Sequence, residues 1–226
     1  MLAAIALIPS APLLVPELAG AAAGEVADLR AAVLTAVAEL PPRWIAIGAG
    51  AADEVIAPSA VGTFAGYGAD TRVALSPDAD APVAQLPLAA LITGWVRAQV
   101  IAGAAAEVRV YADVGEAAVS RGRTLRAELD ASPEPVGVLL VADGANTLTE
   151  SAPGGYDPDS VPAQAALDDA LAAGDADAVI RCATGAVGRS AYQVLAGLAG
   201  SRPIRARELY RGAPFGVGYF AGTWFQ

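Results

Sequence analysis

Residues 136–143, VGVLLVAD, run apolar without a break and then stop at an aspartate. A run of this length with no polar residue at every second position fits a strand covered on both faces. Such a strand belongs inside a parallel sheet with helices above and below it. Two further stretches share the character: 3–8, ended by Pro9, and WIAIGAG at 44–50, ended by a glycine turn. The segment EVRVYADV, 107–114, instead alternates Val108, Val110 and Ala112 with polar neighbours, as a half-exposed strand does.

Helical spacing fills the intervals. Val26, Leu29, Val33, Leu34, Val37 and Leu40 mark a helix over about 21–40, stopped by Pro41 and Pro42. Further helices are expected over about 84–104, 115–130, 160–173, 175–182 and 185–199, with a short strand at 71–76 in a stretch punctuated by Gly and Pro. Two extended segments, IRARELYRG and GVGYFAGTWF, close the chain. Alternating strands and helices require crossover connections, so the chain reads as a single α/β domain over residues 1–226. Three layers are expected, with a central mostly parallel or mixed sheet flanked by helices and an antiparallel pair at the end. Apolar residues reach 55%, and alanine supplies most of the excess, which implies close helix packing rather than large buried side chains.

The charge balance narrows the partners. With 24 acidic and 14 basic residues the chain carries a net charge of −10, which opposes nucleic acid phosphates and anionic membrane surfaces. The most apolar window, 87–106, has Arg97 at its centre, so a buried amphipathic helix is expected there rather than a membrane span. Cys182 is the only cysteine and reads as an inert buried thiol; no secretory signal is apparent, and a cytoplasmic location is expected.

Ligand sites in open α/β sheets gather at the carboxyl ends of the strands, which directs attention to the loops beginning near Ser10, Gly48 and Asp143. The sequence GAGAADE, 48–54, has only part of a dinucleotide-binding fingerprint. The acidic segment 156–178 lacks calcium-loop spacing and reads as solvated helix ends and faces, with Asp159, Ser160 and Asp175 as N-cap candidates. There is no nucleophile elbow, no Walker lysine and no histidine, so no histidine-based triad can be assembled. The loop VADGANTLTE, 141–150, is the most informative. Asp143, Asn146, Thr147, Thr149 and Glu150 collect there, where turn and capping chemistry compete with a ligand-facing role.

Taken together, LIPSAPLLVPELAG, WIAIGAGA and LLVADGANTLTE resemble the strand-end motifs of the class III extradiol ring-cleavage dioxygenases, the LigB-like superfamily. SAPGGYDPDSVPAQAALDDALAAGD, SAYQVLAGLAG and ELYRGAPFGVGYFAGTW are similar to its C-terminal half. The likeness is nearest to a compact, alanine-rich actinobacterial branch of that superfamily. The resemblance implies a fold that elsewhere holds Fe(II) with two histidines and a glutamate, a third histidine serving as acid/base. Here the first ligand position matches Ser10, the second falls at about Ala49–Ala51, and the acid/base position falls at about Asn146 or Thr147. Glu208 is the nearest match to the carboxylate ligand, with a surface ion pair to Arg205, Arg207 or Arg211 as its alternative role.

A serine hydroxyl is a poor neutral ligand for Fe(II), and no side chain in the chain has an ordinary pKa near neutrality. The expectation is therefore an extradiol-dioxygenase-like pseudoenzyme that has lost its metal site, binds no cofactor, and serves as a small-molecule-binding or assembly protein, as a single chain or a homo-oligomer. The cleft candidates are Ser10, Pro12, Asp143, Asn146, Thr147, Glu150, Tyr156 and Glu208. The alternative is an enzyme of altered chemistry on a small substrate, aromatic or not, in which Asp143 and Glu150, joined by Asp53 or Glu54, bind Mg²⁺ or Mn²⁺ or act as an acid/base pair. A structural subunit would instead bury Tyr219, Phe220, Trp224 and Phe225 against a partner, though such aromatics more often belong to a chain's own core.

Overall fold

The computed structural model describes residues 1–226. The apolar runs form β1 (Leu2–Ile8), β2 (Arg43–Ala49) and, at 136–141, β8; the remaining elements fall between and after them. After β1 come a 3-10 turn at Pro12–Leu14, the short α1 (Pro16–Ala19), a second 3-10 turn at Gly20–Ala23 and α2 (Ala27–Val37). β2 leads to β3 (Glu54–Ile56), β4 (Val61–Thr63), β5 (Arg72–Ala74) and β6 (Val83–Ala84), then α3 (Leu88–Val100), β7 (Ala105–Tyr111) and α4 (Glu116–Ala131). β8 (Val136–Val141) is followed by α5 (Ser160–Ala173), α6 (Ala176–Cys182), α7 (Arg189–Ala199), β9 (Arg205–Gly212) and β10 (Tyr219–Phe225).

Seven strands make one mixed sheet in the order β3-β7-β2-β8-β1-β10-β9, and β5-β4-β6 form a separate three-stranded sheet. β7, β2, β8 and β1 run parallel, while β3 and the β10-β9 pair are antiparallel. Successive side chains along a strand point to opposite faces, so each central strand feeds two cores. Ala4, Ala6 and Ile8 pack with α2 and α3, whereas Ile5 and Leu7 pack with α4, α5 and α7. This is the three-layer α/β arrangement that the sequence implies.

The ends of the elements have local causes. α2 starts six residues later than the spacing suggests because Gly20 turns with positive φ and residues 20–23 close a tight 3-10 turn. α3 starts after Pro87 and ends at Val100. Arg97, only 6% exposed, donates to the carbonyls of Ala74, Ala102 and Ala104 at the close of α3. That pairing accounts for a charge inside the most apolar window, and no helix is long and apolar enough to cross a membrane. Asp175 caps α6 by accepting from Ala178 N–H at 2.9 Å, while Asp159 makes no such cap.

One expectation needs correction. Gln164 and Asp168, in the segment read as a solvated acidic face, are buried. The Gln164 amide lies in a slot where a Cβ on either Gly144 or Gly218 would collide with it, so two glycines admit a polar side chain to the core. The C-terminal aromatics turn inward, as such residues commonly do: Tyr219, Phe220 and Trp224 are at most 4% exposed, and Trp224 Nε1–H donates to Leu171 O at 2.8 Å. They belong to the core of this chain and do not form a surface patch for a partner.

Candidate functional site

The parallel strands end on one side of the sheet, and their loops enclose a cleft of about 420 Å³ lined by residues that follow all four of them. Ser10 lies beyond β1, Ala49 and Gly50 at the end of β2, Ala112 and Val114 beyond β7, and Asp143 beyond β8. The first residues of α7, Arg189 and Ser190, complete the lining. The volume is within the range typical of small-ligand sites.

Asp143 is tied to the opening loop: Ser10 N–H donates to Asp143 Oδ1 at 2.7 Å. The backbone around it is fixed from the other side, where Val187 N–H donates to Gly144 O and Gly188 N–H to Asp143 O, each at 2.9 Å. Ser190 Oγ–H donates to Tyr111 O at 2.8 Å, joining the start of α7 to the end of β7. The second oxygen of Asp143 makes no hydrogen bond within the protein.

Burial raises the Asp143 carboxyl to about 7, against the opposing pull of the Ser10 amide. The charged form has one amide donor and no neighbouring cation to offset its desolvation. The phenols of Tyr192 and Tyr219 are held well above their usual range, first by burial and then by the Asp143 charge. Both phenols therefore stay protonated at neutral pH, and Tyr192 O–H donates to Ala142 O at 3.2 Å.

Of the eight cleft candidates, the fold brings together Ser10 and Asp143. Pro12 opens the 3-10 turn after β1 and does not line the cleft. Asn146 packs against Gly154, whose N–H it binds through its own carbonyl at 2.9 Å. The Thr147 carbonyl accepts from Asp157 N–H and Ser160 Oγ–H, and Thr147 faces a different hollow of about 300 Å³ that also contains Cys182. Glu150 is exposed, and Tyr156 is 53% exposed. Glu208 lies on the edge strand β9, where it pairs with Arg211 at 2.5 Å. Turn chemistry thus accounts for most of the polar 141–150 loop, as Leu148 N–H donates to Gly216 O and Gly218 N–H to Ala145 O.

Gly48, Ala49 and Gly50 run into the antiparallel edge strand β3 instead of a helix, so this turn lacks the helix N-terminus that a dinucleotide phosphate site requires. Asp53 accepts from Ala112 N–H at 2.9 Å and pairs with Arg121 at 3.0 Å. No three acidic or cysteine side chains anywhere in the chain converge at metal-binding spacing.

No protein-family model and no curated protein matches the chain. Its fold is similar to the crystal structure of an uncharacterized protein, JW3007 from Escherichia coli K12, with a TM-score of 0.57 over 99% of this chain and 100% of that one. At 10% identity this likeness establishes a shared α/β fold and nothing about chemistry.

Sequence reasoning missed Arg189 and Ser190 because the spacing carried the helix back to 185. The pair of glycines in TGAVGRS was the available signal, since Gly185 closes a 3-10 turn and Gly188 occupies the N-cap position of α7.

Proposed function

We propose that this chain is a relative of the class III extradiol dioxygenases that has no Fe(II) site and that binds a small molecule in the cleft at the carboxyl ends of β1, β2, β7 and β8. The observation that carries the reading is the pairing of Ser10 with Asp143 inside an open cleft whose other walls are largely apolar, among them Ala49, Leu88, Val114, Val141, Ala142 and Val187. Apolar walls with a few convergent polar groups are the common make-up of small-ligand sites.

The donor set does not suit iron. Ser10, Ala49 and Gly50 stand where the resemblance puts the two histidine ligands, and a hydroxyl beside a methyl group and a bare backbone offers no facial set of imidazoles. Glu208 lies apart on β9, ion-paired to Arg211.

Calorimetry and thermal-shift titration of the purified protein with catechol, phenol and other small aromatics test the reading. A saturable heat with a raised Tm, unchanged by chelator, is expected; a flat response across the panel contradicts it. A second reading, acid/base catalysis, draws on Asp143 alone, the one cleft carboxyl poised near neutrality. It requires turnover by the native protein that disappears in D143N; binding of a probe with no turnover contradicts it.

A further inference from the structure

We propose that the cleft takes a small organic acid whose carboxylate pairs with Arg189 and whose hydroxyl lies against Ser10 and the free oxygen of Asp143. This rests on the ligand-binding reading above and adds the class of ligand.

Three observations single out Arg189. First, acidic residues outnumber arginines by 24 to 14, and most arginines with part of the side chain buried find an acid or a carbonyl. Arg109 pairs with Glu107 and Glu128, Arg126 with Asp130 and Arg211 with Glu208. Arg189 pairs with none, and its Nε is buried without an acceptor. Arg30 also has a buried orphan nitrogen, but its Nε donates to Leu14 O at 2.8 Å. Second, Arg189 is the first residue of α7, where the positive end of the helix dipole disfavours a cation. A local rule broken with no partner inside the chain suggests a partner from outside. Third, Arg189 lines the same cleft as Ser10 and Asp143.

The surroundings select the ligand. A guanidinium presents a planar fork that matches a carboxylate. One guanidinium balances one negative charge, and a phosphate dianion would bring a second charge toward Asp143. The Ser10 hydroxyl makes no hydrogen bond within the protein and Asp143 Oδ2 is free, so these two groups can accept from a ligand O–H. The apolar residues that line the rest of the cleft suit a hydrocarbon ring or short chain.

Titration calorimetry at neutral pH and low salt tests this with four probes: 4-hydroxybenzoate, its neutral analogue 4-hydroxybenzamide, phenol and phenyl phosphate. The acid is expected to bind about tenfold or more tightly than the amide. R189Q, shown folded by its Tm, is expected to erase that difference and leave phenol within about twofold, while R189K retains part of it. If the amide or phenyl phosphate matches or exceeds the acid, or if R189Q leaves the acid unaffected, the carboxylate assignment fails while ligand binding stands. If none of the four binds the unmodified protein, both readings fail.

Discussion

Ser10 and Asp143, 133 positions apart in sequence, meet at 2.7 Å through the Ser10 N–H and Asp143 Oδ1. Both lie where a parallel strand ends, β1 and β8 being paired in register from Ala4↔Gly137 to Ile8↔Val141. The contact therefore follows from strand pairing, and it places one backbone donor on a carboxyl that is otherwise poorly solvated. A charge-assisted bond of this kind contributes about 1.5–3 kcal/mol, not enough to offset the desolvation of Asp143.

The first prediction concerns pH. The folded-state pKa of Asp143 is raised to about 7, with burial as the main cause. Asp168 is raised to about 6, again mainly by burial and against the hydrogen bond from Gln164. A raised carboxyl means that the folded state holds the proton more tightly than the unfolded chain does. The stabilisation is full below the unfolded pKa, near 4, and is lost as pH rises through about 7. D143N keeps an oxygen for Ser10 N–H and has no charge to desolvate. Urea unfolding across pH 4–8 should show a shallower decline for D143N, with a gain of about 1–2 kcal/mol over the native chain at pH 8. Parallel curves for the two proteins would show that Asp143 titrates normally.

Helix contact supplies the second prediction. Gly122 on α4 and Gly197 on α7 face one another so closely that a Cβ on Gly122 would collide with the backbone of Val194, and one on Gly197 with that of Val119. Helix propensity alone would make G122A more stable by about 1 kcal/mol. Overpacking against backbone atoms costs about 1–3 kcal/mol or more and dominates here. G122A and G197A should each lower Tm by several degrees; a rise in either would show that the helices part at little cost.

The third prediction follows from the slot between Gly144 and Gly218. Gln164 Oε1 accepts from Ala145 N–H and its Nε2 donates to Asp168 Oδ1, both at 2.8 Å. Q164L removes both partners at once and leaves a buried amide and a buried carboxyl unpaired, a loss of about 2–4 kcal/mol. The Asp168 carboxyl should also titrate higher in the variant, since the Gln164 bond opposes its rise. Denaturant curves and carboxyl NMR shifts read the two effects separately.

The sheet was legible wherever one period governed a segment. The continuous runs of β1, β2 and β8 announced buried strands, and the rule that ligands gather at strand ends pointed to the Ser10 and Asp143 loops. β4 and β6 escaped notice because strands of three and two residues in a Gly/Pro-rich stretch leave no periodicity to read. Gln164 and Asp168 looked like a solvated face because the glycines that accommodate Gln164 lie 20 and 54 positions away from it. Asn146, Thr147 and Glu150 carried the right chemistry at a strand end, but backbone bonds to the 213–218 turn and to 154–160 fold that loop upon itself. Arg189 stayed hidden inside an apparently longer helix.

An amide NMR titration of the metal-free protein with 4-hydroxybenzoate and catechol tests the central claim most directly. The account predicts saturable shifts confined to the cleft, at Ser10, Gly50, Ala112, Asp143 and Ser190, with no need for added Fe(II). Binding that appears only after anaerobic loading with Fe(II), together with oxygen-dependent consumption of catechol, would contradict it.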